Sequence, residues 1–264
     1  MSKFVNIVYP VDSQVWINCY VSIISLLENT NRKVNIILLG KPLDLNIKKH
    51  FKNLEYKYQD KCKITIGIFD TSSLRKYNIP EFENANSWSR ILLPEIYADI
   101  DKLIIMSGAA TIFNFDIGDL YDLKLNKAIG APINILNPIQ CTFEHEPLCK
   151  ELTSFFSINL LLVNCNLYRE KNLINRFAVY FKKNYNFNKN DVVWGINFLL
   201  KDEIETLNLQ YLYQELLPNS NINKFYVKTL EYANAKKNPK IICYTEMSPQ
   251  YVNCQHSMKD LWWK

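Results

Sequence analysis

Residues 90–121 read Arg90-Ile-Leu-Leu-Pro94-Glu-Ile-Tyr-Ala-Asp-Ile-Asp-Lys-Leu103-Ile-Ile-Met106-Ser107-Gly-Ala-Ala110-Thr-Ile-Phe-Asn-Phe-Asp116-Ile-Gly-Asp119-Leu-Tyr121. Four apolar residues, Leu103 to Met106, have the length and composition of a buried strand. They run into a turn of small residues, Ser107 to Ala110, then an apolar run and an acidic turn at Asp116 and Asp119. In an open α/β sheet, ligands bind outside the carboxyl end of such a strand. Chemistry on a phosphorylated ligand calls for carboxylates there to hold a divalent cation. This turn supplies a hydroxyl, a glycine and two alanines.

Working outward, apolar runs and helical periods alternate. Val5 to Val8, Val34 to Leu39 and Ile64 to Phe69 read as strands, the first ended by Pro10 and the second by Gly40-Lys-Pro42. Between them, Gln14 to Glu28 and Leu45 to Leu54 carry apolar residues at helical spacing, and Asp12 or Ser13 is placed to cap the first. Ala85 to about Leu93, Leu173 to Tyr185 and Val192 to Leu200 extend the helical set. Short strands are expected at Ile129 to Pro132, Asn159 to Val163 and Ile241 to Tyr244, with a last short helix from Met258 to Trp263. Strands alternating with helices predict an α/β fold with a mixed, mostly parallel sheet flanked by helices. There is no repeat or linker. The 264 residues are expected to form one domain, 1–264, with a less regular C-terminal third from about residue 200.

With 48% apolar residues the chain can bury a full core, and a net charge of +5 is too mild to predict a nucleic-acid partner. No apolar run approaches the ~18 residues of a membrane span, which leaves peripheral membrane contact as the only expected kind. The start of the chain reads as a strand, not a signal peptide. The seven cysteines have no C-x-x-C spacing. Buried, reduced thiols are expected, in keeping with a cytoplasmic location. His50, His145 and His256 lack partners at ligand spacing and read as surface residues.

The stretch that opens this section resembles the signature of glycosyltransferase family 8, the group of glycogenin and the bacterial lipopolysaccharide galactosyltransferases. Arg90 to Pro94, the strand Leu103 to Met106, and Asp116-Ile117 to Tyr121 carry the resemblance. It extends in order from Val8-Tyr-Pro-Val-Asp12 to Asp260-Leu-Trp-Trp263. It implies a single GT-A-like, nucleotide-diphospho-sugar transferase domain. It also implies where the chemistry should sit, and there the chain departs from the pattern. The family's Asp-x-Asp metal ligands fall on Gly108 and Ala110, or on Ser107 and Ala109 one register back. Cys243 stands at the family's metal-binding histidine, followed by Glu246 and Ser248-Pro-Gln250 in place of a Gly and a Lys-Pro-Trp. In Phe156-Ser-Ile-Asn159, Asn159 replaces a glycine that lets the sugar approach. In Asn190-Asp-Val-Val-Trp194-Gly-Ile-Asn197, Trp194 takes the place of a polar residue that faces the sugar. Trp194 and Asn159 are expected to project into the sugar's space.

The resemblance leaves room for part of the nucleotide pocket to survive. Asp12 matches an aspartate that faces the base, or serves as a helix cap. Ser89 and Arg90 match the segment near the donor phosphates, or Arg90 pairs with Glu83, Glu95 or Asp101. The resemblance therefore implies no catalytic residue, no metal and no cofactor. It points to a pseudo-glycosyltransferase that binds an active glycosyltransferase or itself. Two alternatives stand beside it: a metal-independent transferase using a nucleotide-sugar donor, and a non-catalytic carbohydrate- or nucleotide-binding module.

Overall fold

The computed structural model describes residues 4–79, 85–107, 110–135, 155–183, 192–215, 229–244 and 248–264, and for residues 85–88 and for Phe181, Lys183, Val192, Trp194 and Thr229 the backbone alone. In chain order the strands are β1 (Phe4–Val11), β2 (Lys33–Gly40), β3 (Cys62–Ile68), β4 (Lys102–Met106), β5 (Ala110–Phe113), β6 (Ile129–Pro132), β7 (Leu160–Asn164), β8 (Ile204–Leu207), β9 (Tyr213–Gln214) and β10 (Ile241–Tyr244). The helices are α1 (Trp16–Asn29), α2 (Leu45–Lys57), α3 (Ser72–Arg75), α4 (Ala85–Ile96), α5 (Gly118–Tyr121), α6 (Cys165–Glu170), α7 (Leu173–Lys183), α8 (Val192–Leu199) and α9 (Thr229–Lys237). Three short 3-10 turns complete the C-terminal part, the last at Lys259–Trp263.

Seven strands form one sheet in the order β3-β2-β1-β4-β7-β6-β8. β3, β2, β1 and β4 are parallel, β7 is antiparallel to both β4 and β6, and β8 is parallel to β6. The parallel strands are apolar on both faces because helices cover both. Along β1 the side chains alternate: Val5, Ile7 and Tyr9 enter the core under α1 and α2, while Val8 enters the opposite core under α4 and α6. Each such side chain, fully buried, contributes ~1.5–3 kcal/mol. Helix starts are capped where the sequence offers an acceptor. Asp44 Oδ1 accepts from Ile47 N at the head of α2, and Asn164 Oδ1 from Leu167 N at the head of α6.

A second sheet, β5-β10-β9, lies over α1. A hydroxyl chain joins the layers: Tyr9 Oη contacts Ser22 Oγ at 3.2 Å, and Ser22 Oγ contacts Thr111 Oγ1 at 2.7 Å. The periodicity reading gave β2, β4, β6 and β7 within a residue and β3 within two, but ended β1 at Val8, whereas the strand runs through Pro10 to Val11. It did not separate β5 from the loop before it, and it missed β8 and β9. β8, Ile-Glu-Thr-Leu, contains no apolar run, and β9 has only two residues.

Acidic side chains near the signature turn serve the scaffold. Asp116 accepts from Thr30 Oγ1 (2.7 Å), Asn31 N (2.9 Å) and Gly118 N (2.9 Å), fastening the α1–β2 turn. Asp101 Oδ1 accepts from Asn166 Nδ2 at 3.0 Å. Glu203, almost fully buried, takes Lys171 Nζ at 2.6 Å and Arg176 Nη2 at 3.1 Å, tying the turn before β8 to α7.

Burial alone would raise the Glu203 carboxyl pKa. The hydrogen bonds and charges of Lys171 and Arg176 outweigh it, and the net displacement is downward from 4.5. A carboxylate depressed in the folded state stabilises the fold above its unfolded pKa, and that stability is lost as pH falls through the folded value. Thermal midpoints should therefore drop as pH falls below about 4.5, and Glu203→Gln should lower the neutral-pH midpoint and flatten the acid limb. A variant with an unchanged acid limb would remove Glu203 from that account.

Candidate functional site

β4 ends at the same edge of the sheet as β1, since Ile104 and Ile105 pair in parallel with Ile7 and Val8. Just past it, Ser107 is buried and its backbone N–H donates to Asn159 O at 3.0 Å. Asn159 stands immediately before β7, held by Ser157, whose Oγ accepts from Asn159 N at 3.3 Å and whose N–H donates to Pro132 O at 2.8 Å. The Asn159 amide then reaches the small sheet, where Nδ2 donates to Cys243 Sγ at 3.8 Å. Residues far apart in sequence, Ser107, Asn159 and Cys243, thus meet at the carboxyl end of β4.

Cys243 is fully buried on β10, flanked by Thr111 of β5 and Gln214 of β9. Burial pushes its thiol up to about 12, against the smaller opposite effect of the Asn159 hydrogen bond, so it is protonated at neutral pH. A protonated thiol does not suit a hard divalent cation, and the hydroxyl and the single amide oxygen beside it bring no charge, so the set lacks the carboxylates that hold such an ion. Among the described residues no group of three His, Cys, Asp or Glu is placed to hold a metal.

The other positions singled out in the sequence fall as follows. Ala110 pairs with Tyr244 and packs with Ile112, Ile242 and Trp262. Side chains alternate across a strand, so Ala110 faces away from Cys243, on the other side of the small sheet. Gly108, Ala109, Glu246, Asp191 and the side chain of Trp194 lie outside the described residues. Asp12 Oδ1 accepts from Gln14 N (2.8 Å) and Val15 N (3.1 Å), ordering the turn into α1.

Ser89 and Arg90 sit on α4. This helix follows parallel β3 and leads through a tight turn, Tyr97 to Ile100, into parallel β4. It therefore runs against the strands, and its first turns lie at their carboxyl ends. Ser89 is buried. Arg90 is half-buried, with Nε enclosed and no hydrogen-bond or ion-pair partner among the described residues. Burial pulls its guanidinium down to about 10, still charged at neutral pH. Of the partners expected from the sequence, Asp101 bonds Asn166 instead, and Glu83 lies outside the described residues. An unpaired enclosed cation is costly, and a guanidinium so placed is suited to an anion.

α8 supplies a link that the sequence reading undervalued. Asn197, fully buried, accepts from Phe156 N at 2.6 Å through Oδ1 and donates through Nδ2 to Phe156 O (3.0 Å) and Val193 O (2.9 Å). It pins α8 to the segment that carries Ser157 and Asn159.

Two expectations about the C-terminal segment are corrected or refined. His256 is buried, not at the surface. The chain after β10 folds back over the small sheet, so the His256 ring meets Tyr244 at 4.6 Å and Glu215 at 3.4 Å. No local pattern signals this, because the contacts are between distant segments. Trp262 is buried edge-on against Tyr244, whereas Trp263 is 67% exposed beside a groove of about 610 Å³ lined by Ile17, Val21, Ile112 and Leu261. Trp262→Ala should cost ~3–5 kcal/mol in urea unfolding, as large core truncations do. Trp263→Ala should change stability by less than ~0.5 kcal/mol. Equal losses would place both rings in the core.

Among the described residues no helix is long and apolar enough to cross a membrane. Cys19, Cys62, Cys165, Cys243 and Cys254 are free and buried, as expected; Cys141 and Cys149 lie outside the described residues, as does His145.

Comparison with known proteins adds independent findings. The sequence model of glycosyl transferase family 8 matches residues 6–247. A curated protein of Haemophilus influenzae (strain ATCC 51907 / DSM 11121 / KW20 / Rd), named "Putative glycosyltransferase", is 21% identical over 212 residues, 80% of this chain and 63% of that protein. Among solved structures, the apo WbbM bifunctional glycosyltransferase superposes with a TM-score of 0.72 at 16% identity, over 94% of this chain and 46% of that one. The galactosyltransferase LgtC in complex with donor and acceptor sugar analogues gives 0.70 at 14% identity, over 97% and 93%. The chain thus spans less than two thirds of the Haemophilus protein and less than half of WbbM. At these identities the structural likeness establishes the fold, a GT-A-like domain built on the mixed seven-stranded sheet.

Proposed function

Because the chain belongs to glycosyl transferase family 8, we propose that it is a pseudo-glycosyltransferase, a relative without the metal-dependent donor chemistry that works by binding an active glycosyltransferase as partner or regulator. The observation that carries this reading is the neutral set Ser107, Asn159 and Cys243 at the carboxyl end of β4. Departure of a nucleoside diphosphate from a sugar leaves negative charge on the phosphates, and stabilising it is the main task of such a site. A hydroxyl, an amide and a protonated thiol offer only weak dipoles for that task. Anchoring by backbone pairing and by Asn197 holds these groups where they are.

One observation favours a second reading, a metal-independent transferase. Arg90, half-buried with its Nε enclosed, has no partner for its positive charge among the described residues, and on α4 a diphosphate could neutralise it. The assay that separates the readings is nucleotide release from a panel of UDP-sugars, run once with Mn²⁺ and once with EDTA. Under the favoured reading both runs stay near background, and the protein co-purifies with a glycosyltransferase when the two are co-expressed. EDTA-resistant turnover selects the Arg90 reading, and Mn²⁺-dependent turnover rejects both.

A further inference from the structure

β3 is one edge of the large sheet, and its pairing shows which of its backbone groups face outward. Val34 N donates to Lys61 O at 2.8 Å and Phe69 N donates to Gly40 O at 2.9 Å. With the register Ile36↔Ile64 and Leu38↔Ile66, the odd-numbered residues of β3 turn their N–H and C=O groups toward β2. The even-numbered residues turn theirs away. Two of those outward N–H groups are occupied: Cys62 N donates to Tyr58 O (2.8 Å), and Ile64 N to Glu55 Oε1 (2.8 Å). Ile66 and Ile68 have no such partner among the described residues, and Ile68 is 64% exposed. The first half of this edge is closed by α2, and the second half is open.

Beside the open half lies a groove of about 330 Å³ between β3 and α2. Leu43, Phe51 and Ile66 line it, and Lys41, Lys48 and Lys52 stand around it. None of the three ammonium groups has an ion-pair or hydrogen-bond partner among the described residues. Glu55, the one acid of the lining, is engaged with Ile64 N–H. The rest of α2's polar surface adds Lys49 and Lys57. Lysines on an edge discourage pairing with a second copy of the same basic edge, and around this groove the same charges favour an acidic strand.

We propose that this edge is a docking site for an extended acidic peptide segment of a protein partner, which adds a strand along Ile66 to Ile68. Main-chain hydrogen bonds to these residues supply the pairing. Alternate side chains enter the apolar groove, and carboxylates meet Lys41, Lys48 and Lys52. The site is separate from the carboxyl end of β4 and does not rest on the reading of that site as inactive.

The test is panning of a displayed library of random heptapeptides against the full chain. Selected sequences should alternate acidic and apolar residues. A synthetic selected peptide should bind the Lys41→Glu/Lys48→Glu/Lys52→Glu variant roughly tenfold or more weakly, because three favourable charge contacts become repulsive. On binding to the unaltered chain, hydrogen exchange at the amides of Ile66 and Ile68 should slow. The substituted lysines are at the surface, and an unchanged unfolding temperature confirms that the variant is folded. Selection without acidic enrichment, or equal binding by the variant, overturns the proposal. Acidic peptides that leave exchange at Ile66 and Ile68 unchanged overturn strand addition. Failure to select peptides, together with self-association of the variant, assigns the lysines to keeping the edge apart and also overturns it.

Discussion

With any common UDP-sugar and Mn²⁺, the isolated protein is expected to release UDP at least ~10³-fold more slowly than the 1–10³ s⁻¹ of ordinary enzymes. Removing a single preorganised charge-stabilising group costs ~10²–10³ in rate. On the proposed reading, the two carboxylates and the histidine of the family pattern are replaced together, by small residues and by Cys243, whose thiol burial raises to about 12. Such losses do not multiply, since the groups act as one unit, so the estimate stays near the cost of disabling the unit once. Arg90 is the only described residue of the candidate set with an enclosed and unpartnered charge. Rates within tenfold of ordinary turnover in EDTA would give Arg90 the role of the metal, and Arg90→Gln should then abolish them. Rates restored by Mn²⁺ alone would mean that the ligands come from residues outside the neutral set.

The second large effect is on stability. Asn197→Ala is expected to cost about 3–5 kcal/mol. Its amide joins both backbone groups of Phe156 and the carbonyl of Val193, at 2.6, 3.0 and 2.9 Å, with no exposure of its own. The truncation leaves the buried N–H and the buried carbonyl of Phe156 short of a partner, each at ~1–3 kcal/mol, and removes the bond to the half-buried carbonyl of Val193. Against a total of ~5–15 kcal/mol this is a large fraction. Urea unfolding followed by tryptophan fluorescence measures it. Asn197→Asp keeps the acceptor for Phe156 N but loses both donations, and should remain destabilised. A loss below ~1 kcal/mol for the alanine variant would show that α8 and the segment before β7 do not depend on this contact. Because that segment ends in Asn159, the same variant should also make Cys243 more reactive toward a thiol reagent.

The two predictions draw on different layers of information. The expectation that Gly108, Ala110 and Cys243 stand where carboxylates and a histidine belong comes from the sequence, because it concerns residue types at positions along a signature. Which of those positions converge is not. Ser107, Asn159 and Cys243 meet through one backbone hydrogen bond and one side-chain contact between distant segments, while Ala110 turns to the opposite face. For Arg90 the sequence leaves a choice of nearby acids. The structure shows Asp101 engaged with Asn166. Asn197 looks like one more apolar-helix residue until its partner, the Phe156 backbone, is brought to it.

By itself the sequence determined the order of layers: apolar runs of four to eight residues can only be satisfied as strands buried under helices, and the helical periods between them supply the cover. It also determined the family, through an ordered signature that runs nearly the whole length, and the chemical types left at the site. Only the tertiary structure decided the short strands β5, β8 and β9, the burial of His256 and Trp262 against Tyr244, the absence of a partner for Arg90 among the described residues, and the unpaired amides of Ile66 and Ile68 on the β3 edge. These depend on contacts between segments far apart in sequence. Their free energy comes from desolvation and pairing after the chain has folded, and no local pattern of residues encodes them.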